Sequence, residues 1–230
     1  MKNFCYEYER PAVTVDAVIF GFAEASLKVL LIKRGIEPFK DKWALPGGFI
    51  QMQETAEDGA NRILKKETNL EGVFMEQLYT FSAVNRDPRE RIISIAYFAL
   101  VKQDDYQAQA GDDETSAEWF EINKLPSLVF DHEKILRTAM YRLKGKIRYQ
   151  PIGFELLTDK FKLSQLQDLY EVILETSIDK RNFRRKILQM ELLIDTEEKE
   201  KNVAHKAAKL YKFDKNKYDE LSKKGFNFEI

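Results

Sequence analysis

Apolar and polar positions change their period along this chain, and each change marks an element. Residues 12–22 (AVTVDAVIFGF) and 27–34 (LKVLLIKR) are β-rich runs joined by a short Ala-Glu-Ala-Ser connection, which predicts a hairpin. Residues 43–50 (WALPGGFI) predict a strand broken at Gly47-Gly48. Residues 55–68 have helical character, and Thr55 with Asp58 makes a capping-box start. Strands are expected again at 73–84, 91–102 and 117–122. After Pro126 helical patterns dominate from about 131 to 194, which places a boundary near 126–131. The expected organisation is α+β, with one domain over 1–128 and a second over 129–230.

The second half has its own design. The stretch 132–144 reads as its first helix. Leu163, Leu166, Leu169/Tyr170 and Ile173/Leu174 then form one helical stripe, with Ser164 as the expected cap. A short Glu-Thr-Ser-Ile turn precedes another helix starting near Asp179. On it Phe183, Ile187 and Met190 are spaced to face inward, while Arg181, Arg184 and Arg185 fall on the other side. Residues 208–213 (AKLYKF) alternate as a strand after the charged stretch Thr196–Lys206. Helix, turn, basic helix and then a strand–loop–strand is the order of a winged helix-turn-helix.

Charge sharpens that picture. The whole chain is near neutral, with 37 Lys and Arg against 38 Asp and Glu. Residues 131–230 hold 22 and 17 of these, a net of +5, so residues 1–130 carry −6. Lys180–Lys186 contains five basic residues and no acid, and such an unbalanced cluster suits a polyanionic partner better than a merely solvated face. One cysteine, Cys5, excludes an intramolecular disulfide, and two histidines, His132 and His205, give no metal-binding signal. The first residues lack the apolar core of a signal peptide, and no apolar run approaches the ~20 residues of a membrane span. A cytoplasmic location is expected. Trp43 and Trp119 sit in strand-like runs and suit a core or a pocket wall.

The segment Leu45–Leu70, LPGGFIQMQETAEDGANRILKKETNL, resembles the Nudix box, G-x5-E-x7-R-E-U-x-E-E-x-G-U with U apolar. Gly48, Glu54, Arg62, Leu64, Glu67 and Leu70 match at the required spacing. The resemblance implies a mixed sheet between helices, with the box as loop–helix–loop. In that family's enzymes the glutamates of the R-E-U-x-E-E segment ligate Mg²⁺ or Mn²⁺. Here those positions are Ile63, Lys66 and Glu67, and the later glycine is Asn69. Two of three carboxylates are gone and one is replaced by a cation, so no catalytic residue, metal or cofactor is expected. The rival is a true Nudix hydrolase of nucleoside diphosphate derivatives, whose basic tail steers an anionic substrate.

The tail FKLSQLQDLYEVIL…DKRNFRRKIL…AKLYKF is similar to the C-terminal winged helix of the Nudix-related transcriptional regulators. That resemblance implies a dimeric bacterial regulator that binds double-stranded operator DNA and answers to a small effector. One branch senses ADP-ribose; another, from Bacteroidetes, answers to pentoses such as arabinose. A pentose-released repressor is the expectation, because a site without metal carboxylates lacks the cation bridge to a diphosphate; ADP-ribose is the alternative. The expected effector residues are Arg34, Trp43 and Glu54. The expected DNA contacts are Lys180, Arg181, Asn182, Arg184, Arg185 and Lys186 on the basic helix, with His205, Lys206 and Lys209 in the wing.

Overall fold

The structure, a computed structural model, describes residues 7–103, 114–200, 207–226 and 228–229. Two strands, β1 (Ala12–Ala23) and β2 (Ser26–Arg34), are joined by Glu24 and Ala25, both at positive φ. Consecutive positive φ is the geometry of a tight hairpin turn whose twist matches that of the strands. Two short strands follow, β3 (Trp43–Ala44) and β4 (Gly47–Phe49), then α1 (Ala56–Thr68), β5 (Glu76–Phe81), β6 (Ile92–Val101) and β7 (Glu114–Glu121). All seven strands form one sheet, ordered β3-β2-β1-β6-β5, with β4 also pairing β1 and β7 also pairing β2.

Val15–Phe20 and Val29–Ile32 are buried at every position. Strands covered on both faces read as unbroken apolar runs, which is why β1 and β2 show so little alternation. Helix α1 starts as its sequence predicts: Thr55 accepts from the Asp58 N–H, and the Asp58 carboxylate accepts from Thr55 N. It packs on β4 and β7. Asn69 closes it at φ 59, supplying the left-handed residue that a glycine commonly provides.

Contacts divide the chain into two compact units. Among the described residues, the first holds 7–19, 29–99 and 114–139, and the second holds 20–28, 100–103, 140–200, 207–226 and 228–229. The helix α2 (His132–Tyr149) is one continuous element whose residues belong in part to each.

In the second unit a 3-10 segment, Pro151–Leu156, precedes α3 (Leu163–Leu174) and α4 (Lys180–Gln189). A two-stranded antiparallel ribbon of β8 (Leu193–Lys199) and β9 (Lys209–Phe213) follows, then α5 (Lys215–Lys223). Leu166, Leu169, Tyr170 and Ile173 of α3 are buried with Phe183 and Ile187 of α4. The Tyr170 and Phe183 rings lie 5.6 Å apart.

Three sequence expectations need correction. The cap of α3 is Lys162 rather than Ser164: the Gln165 side chain accepts from the Lys162 N–H at 2.8 Å, and Ser164 already lies inside the first turn. Helix α4 ends at Gln189, so β8 occupies part of the stretch read as helix and then as loop. Helix α5 has no counterpart in the sequence reading. Cys5, His205 and Lys206 lie outside the described residues.

Candidate functional site

Two constellations bear on function, one in each unit. The first is a cleft on the sheet. Asp16 of β1 pairs in register with Gly47 of β4. A Cβ at position 47 would fall 2.1 Å from Asp16 Oδ1, so only glycine lets the two strands meet with a carboxylate between them. Asp16 accepts from Arg86 Nη2 at 3.2 Å and from the Ser94 hydroxyl. Arg86 also donates to Asp131, at 2.7 Å from Nη2 and 3.1 Å from Nε. Burial alone would lower the Arg86 pKa, but bonds and charge from Asp131 and Asp16 outweigh it and raise it.

His132 completes this buried network. Its Nδ1 accepts from the Leu45 N–H at 2.9 Å, which leaves the proton on Nε2, 3.5 Å from Asp16 Oδ1. Burial lowers the His132 pKa, against the pull of Asp16, so the ring is neutral. Its hydrogen bonds therefore fix the tautomer.

The Nudix-box residues assemble beside this network. Arg62 donates to both Glu54 oxygens, at 2.8 Å from Nε and 2.6 Å from Nη2, and to the Phe49 carbonyl at 3.0 Å. Glu54 also accepts from Gln51 N. The Arg62 hydrogen bond is the main reason the Glu54 pKa falls from 4.5 to about 2. Glu67, largely buried, accepts from the Gly47 N–H at 2.8 Å. Ile63 is 4% exposed and packs with Val15, Ala60 and Tyr97; its Cδ1 would lie 3.2 Å from a Cβ at Gly48. Lys66 is exposed and lines the cleft.

These residues do not fit a hard divalent ion, which needs several converging oxygens. Glu54 is engaged by Arg62, Ile63 is apolar, and Lys66 brings a positive charge. Among the described residues no group of three His, Cys, Asp or Glu side chains is placed to hold a metal. What the cleft holds instead is cationic: Arg34, Arg62, Lys66, Arg86 and Arg89 line it with three carboxylates, Asp16, Glu67 and Asp87. Asp87 receives two bonds from the Arg89 side chain, at 3.0 and 2.8 Å. Burial pushes the Asp87 pKa up, but those bonds prevail and hold it low. The Arg34 guanidinium lies 5.2 Å from the centre of the Phe130 ring, and that of Arg89 lies 5.2 Å from Phe49 and 5.8 Å from Phe130.

Of the three expected effector residues, the structure places Arg34 in this cleft and leaves Trp43 and Glu54 outside its lining. Trp43 packs edge-on against Phe120 at 4.6 Å, and its carbonyl accepts from Val129 N. Glu54 holds the box loop through Arg62. Asp16, Arg86, Arg89, Phe130 and His132 were not anticipated. The one available hint was the arginine-rich loop Asn85–Arg91 between two strands.

The second constellation is the basic face of α4. Asp179 caps the helix by accepting from Asn182 N at 2.8 Å. Lys180, Arg181, Asn182, Arg184, Arg185 and Lys186 are all exposed. Arg185 Nη2 donates to Asn182 Oδ1 at 3.1 Å. Lys180, Arg184 and Lys209 meet in a concave surface that also includes Lys162 and Lys199, with no carboxylate among the described residues that line it. Arg181, Arg185 and Lys186 lie outside that concavity. Lys209 is paired with Asp195 at 2.6 Å, and Lys162 with Glu200 at 2.7 Å. Lys162 and Lys199 belong to the segments before α3 and in β8, which the sequence reading did not connect with α4.

Comparison with known proteins covers both constellations. A NUDIX domain model matches residues 10–139, and the model of the NrtR DNA-binding winged helix domain matches residues 153–213. The "ADPR responsive transcriptional repressor NtrR" of Acinetobacter baylyi is 34% identical over 226 residues, covering 96% of this chain and 87% of that protein. The ADP-ribose pyrophosphatase of Methanocaldococcus jannaschii is 44% identical over 133 residues, covering 58% of this chain and 75% of that one. Shewanella oneidensis NrtR, solved with a 27mer DNA, superposes with a TM-score of 0.75 at 35% identity, covering 87% of this chain and 93% of that one. Its NUDIX domain, solved with ADP ribose, gives 0.54 at 34% identity, covering 59% and 90%. The order of the two matched domains, and a relative aligned along nearly the whole chain, mean that this protein belongs to the NrtR-type family of Nudix-related transcriptional regulators, a Nudix fold followed by a winged helix.

Proposed function

We propose that this protein is an operator-binding transcriptional repressor released by ADP-ribose, which it binds in the cleft of its Nudix domain without hydrolysing it. The observation that carries this is the cleft lining: five cationic side chains with Phe49 and Phe130 among them. Diphosphate oxygens suit arginine forks and an ammonium, and an aromatic ring offers a face to an adenine. A neutral pentose would use few of these charges. The Acinetobacter repressor is named as ADP-ribose responsive and the Shewanella NUDIX domain was solved with ADP ribose, so the ADP-ribose alternative replaces the pentose expectation. Arg34 stays among the proposed effector contacts, while Trp43 and Glu54 become supports of the cleft wall and the box loop.

The proposed DNA contacts are Lys180, Arg181, Asn182, Arg184, Arg185, Lys186 and Lys209, with Lys162 and Lys199 added by the concave surface; His205 and Lys206 remain proposed on sequence alone. A division at 128/129 and a homodimer on a palindrome-like operator complete the proposal, since two symmetric half-site readers gain affinity from linkage. A second reading, ADP-ribose hydrolysis, has specific support in the identity to the Methanocaldococcus pyrophosphatase. The test is duplex DNA selected from a random pool by the purified protein, followed by fluorescence anisotropy with each ligand. ADP-ribose should release the DNA and remain intact, and L-arabinose should do nothing. Release by arabinose alone would overturn the effector assignment, and metal-dependent loss of ADP-ribose would favour the hydrolase.

A further inference from the structure

We propose that Lys66 supplies the positive charge that a metal ion would otherwise bring to this cleft, so that a diphosphate ligand binds here without any divalent cation. The inference rests on the reading of the cleft as an ADP-ribose site and deepens it.

The three carboxylates of the lining are already committed. Asp16 serves Arg86 and Ser94, Asp87 serves Arg89, and Glu67 accepts from the Gly47 N–H. Among the described residues no three His, Cys, Asp or Glu side chains are grouped to hold a metal, whereas a hard cation takes roughly six oxygens. The helix face itself has been rebuilt. Positions 63, 66 and 67 share one side of α1, being i, i+3 and i+4. The first of these now fills the apolar space against Gly48, and the second carries an ammonium into the cleft. Arg62 stands one turn before Lys66 on the same helix and lines the same cleft. An ammonium at this place repels Mg²⁺ and attracts phosphate oxygens, so one side chain both excludes the metal and replaces its charge.

Lys66 is exposed on α1, so its substitution leaves the core untouched. The experiment is calorimetric titration of the intact protein with ADP-ribose, ADP and inorganic pyrophosphate, each in EDTA and in excess Mg²⁺. Wild type should bind ADP-ribose equally in both, and Lys66→Met should lose about tenfold in affinity, as expected for one charge-assisted contact. Lys66→Glu should lose more, with the melting temperature of both free variants unchanged. Binding by wild type that requires Mg²⁺, or an unaltered affinity in Lys66→Met, would overturn the role of Lys66 and leave the effector assignment standing. ADP or pyrophosphate binding in EDTA with no response to ADP-ribose would do the reverse. Failure of all three ligands in EDTA and in Mg²⁺ alike would overturn both.

Discussion

Asp16 is a carboxylate in a strand buried on both faces, and it is tolerable there only because its oxygens are occupied by Arg86, Ser94 and His132. Removing one member exposes the others. His132→Ala should strip a partner from the buried Leu45 N–H and from Asp16, and cost about 1–3 kcal/mol in chemical denaturation; a loss within error of zero would mean that water takes over both bonds. Glu54 gives a pH test with a defined sign. Its folded pKa lies near 2 against 4.5 ordinarily, so its contribution is fully present above about 4.5 and fades as pH falls toward 2. Glu54→Gln should therefore be less stable than wild type near neutrality, and the gap in melting temperature should close progressively below pH 4.5. Legibility in the sequence follows the same division. Glu54 and Arg62 could be read because their spacing belongs to one loop–helix motif. Asp16 with Arg86, Ser94 with Asp16, and Leu45 with His132 are separated by 70, 78 and 87 residues. No local pattern announces such partners, and a lone histidine gives no hint that its ring will accept a strand's N–H.

At the scale of elements, apolar runs and their period placed the strands of the sheet and the helices α1 to α4, because burial acts on those positions directly. Caps and short turns were less legible. Ser164 looks like a cap, yet the geometry is decided by where the chain leaves Phe161, which exchanges backbone hydrogen bonds with Tyr211 of β9. The turn between α3 and α4 is likewise tied from a distance. Gln167 donates to the Ile178 carbonyl at 3.0 Å, and Glu171 accepts from Ile178 N at 2.8 Å. That fixes the direction in which α4 presents its basic face. Asp179→Ala should then fray the first turn of α4, costing about 1 kcal/mol, and weaken DNA binding although Asp179 bears a charge that DNA repels. Arg184→Ala should separate the two effects: stability within about 0.5 kcal/mol of wild type, but a salt dependence of DNA binding shallower by about one unit if Arg184 neutralises a phosphate. A steeper or unchanged salt slope would remove Arg184 from the proposed interface.

For the whole molecule, the proposed release requires that a ligand bound in the cleft alter the grip of the winged helix on DNA. Helix α2 begins at His132, inside the buried network that lines the cleft, and runs unbroken to Tyr149, so its residues belong to both compact units. Under the proposed effector reading, a shift of Arg86 or Asp131 would act on the first turn of that helix. In the proposed dimer, an operator of fixed half-site spacing would penalise any change in the separation of the two recognition helices. The thermodynamic consequence does not depend on the path. If ADP-ribose lowers operator affinity by some factor, the operator must lower ADP-ribose affinity by the same factor. A ligand that moved the population from mostly bound to mostly free would need a difference of several kcal/mol between the two states, about 5.5 for a full reversal from 99:1 to 1:99. Calorimetric titration of ADP-ribose with and without saturating operator measures this factor, and anisotropy measures its mirror image. The two factors should agree. Equal ADP-ribose affinity in both titrations would mean that cleft and winged helix act independently, and a release mechanism through the effector would have no thermodynamic basis.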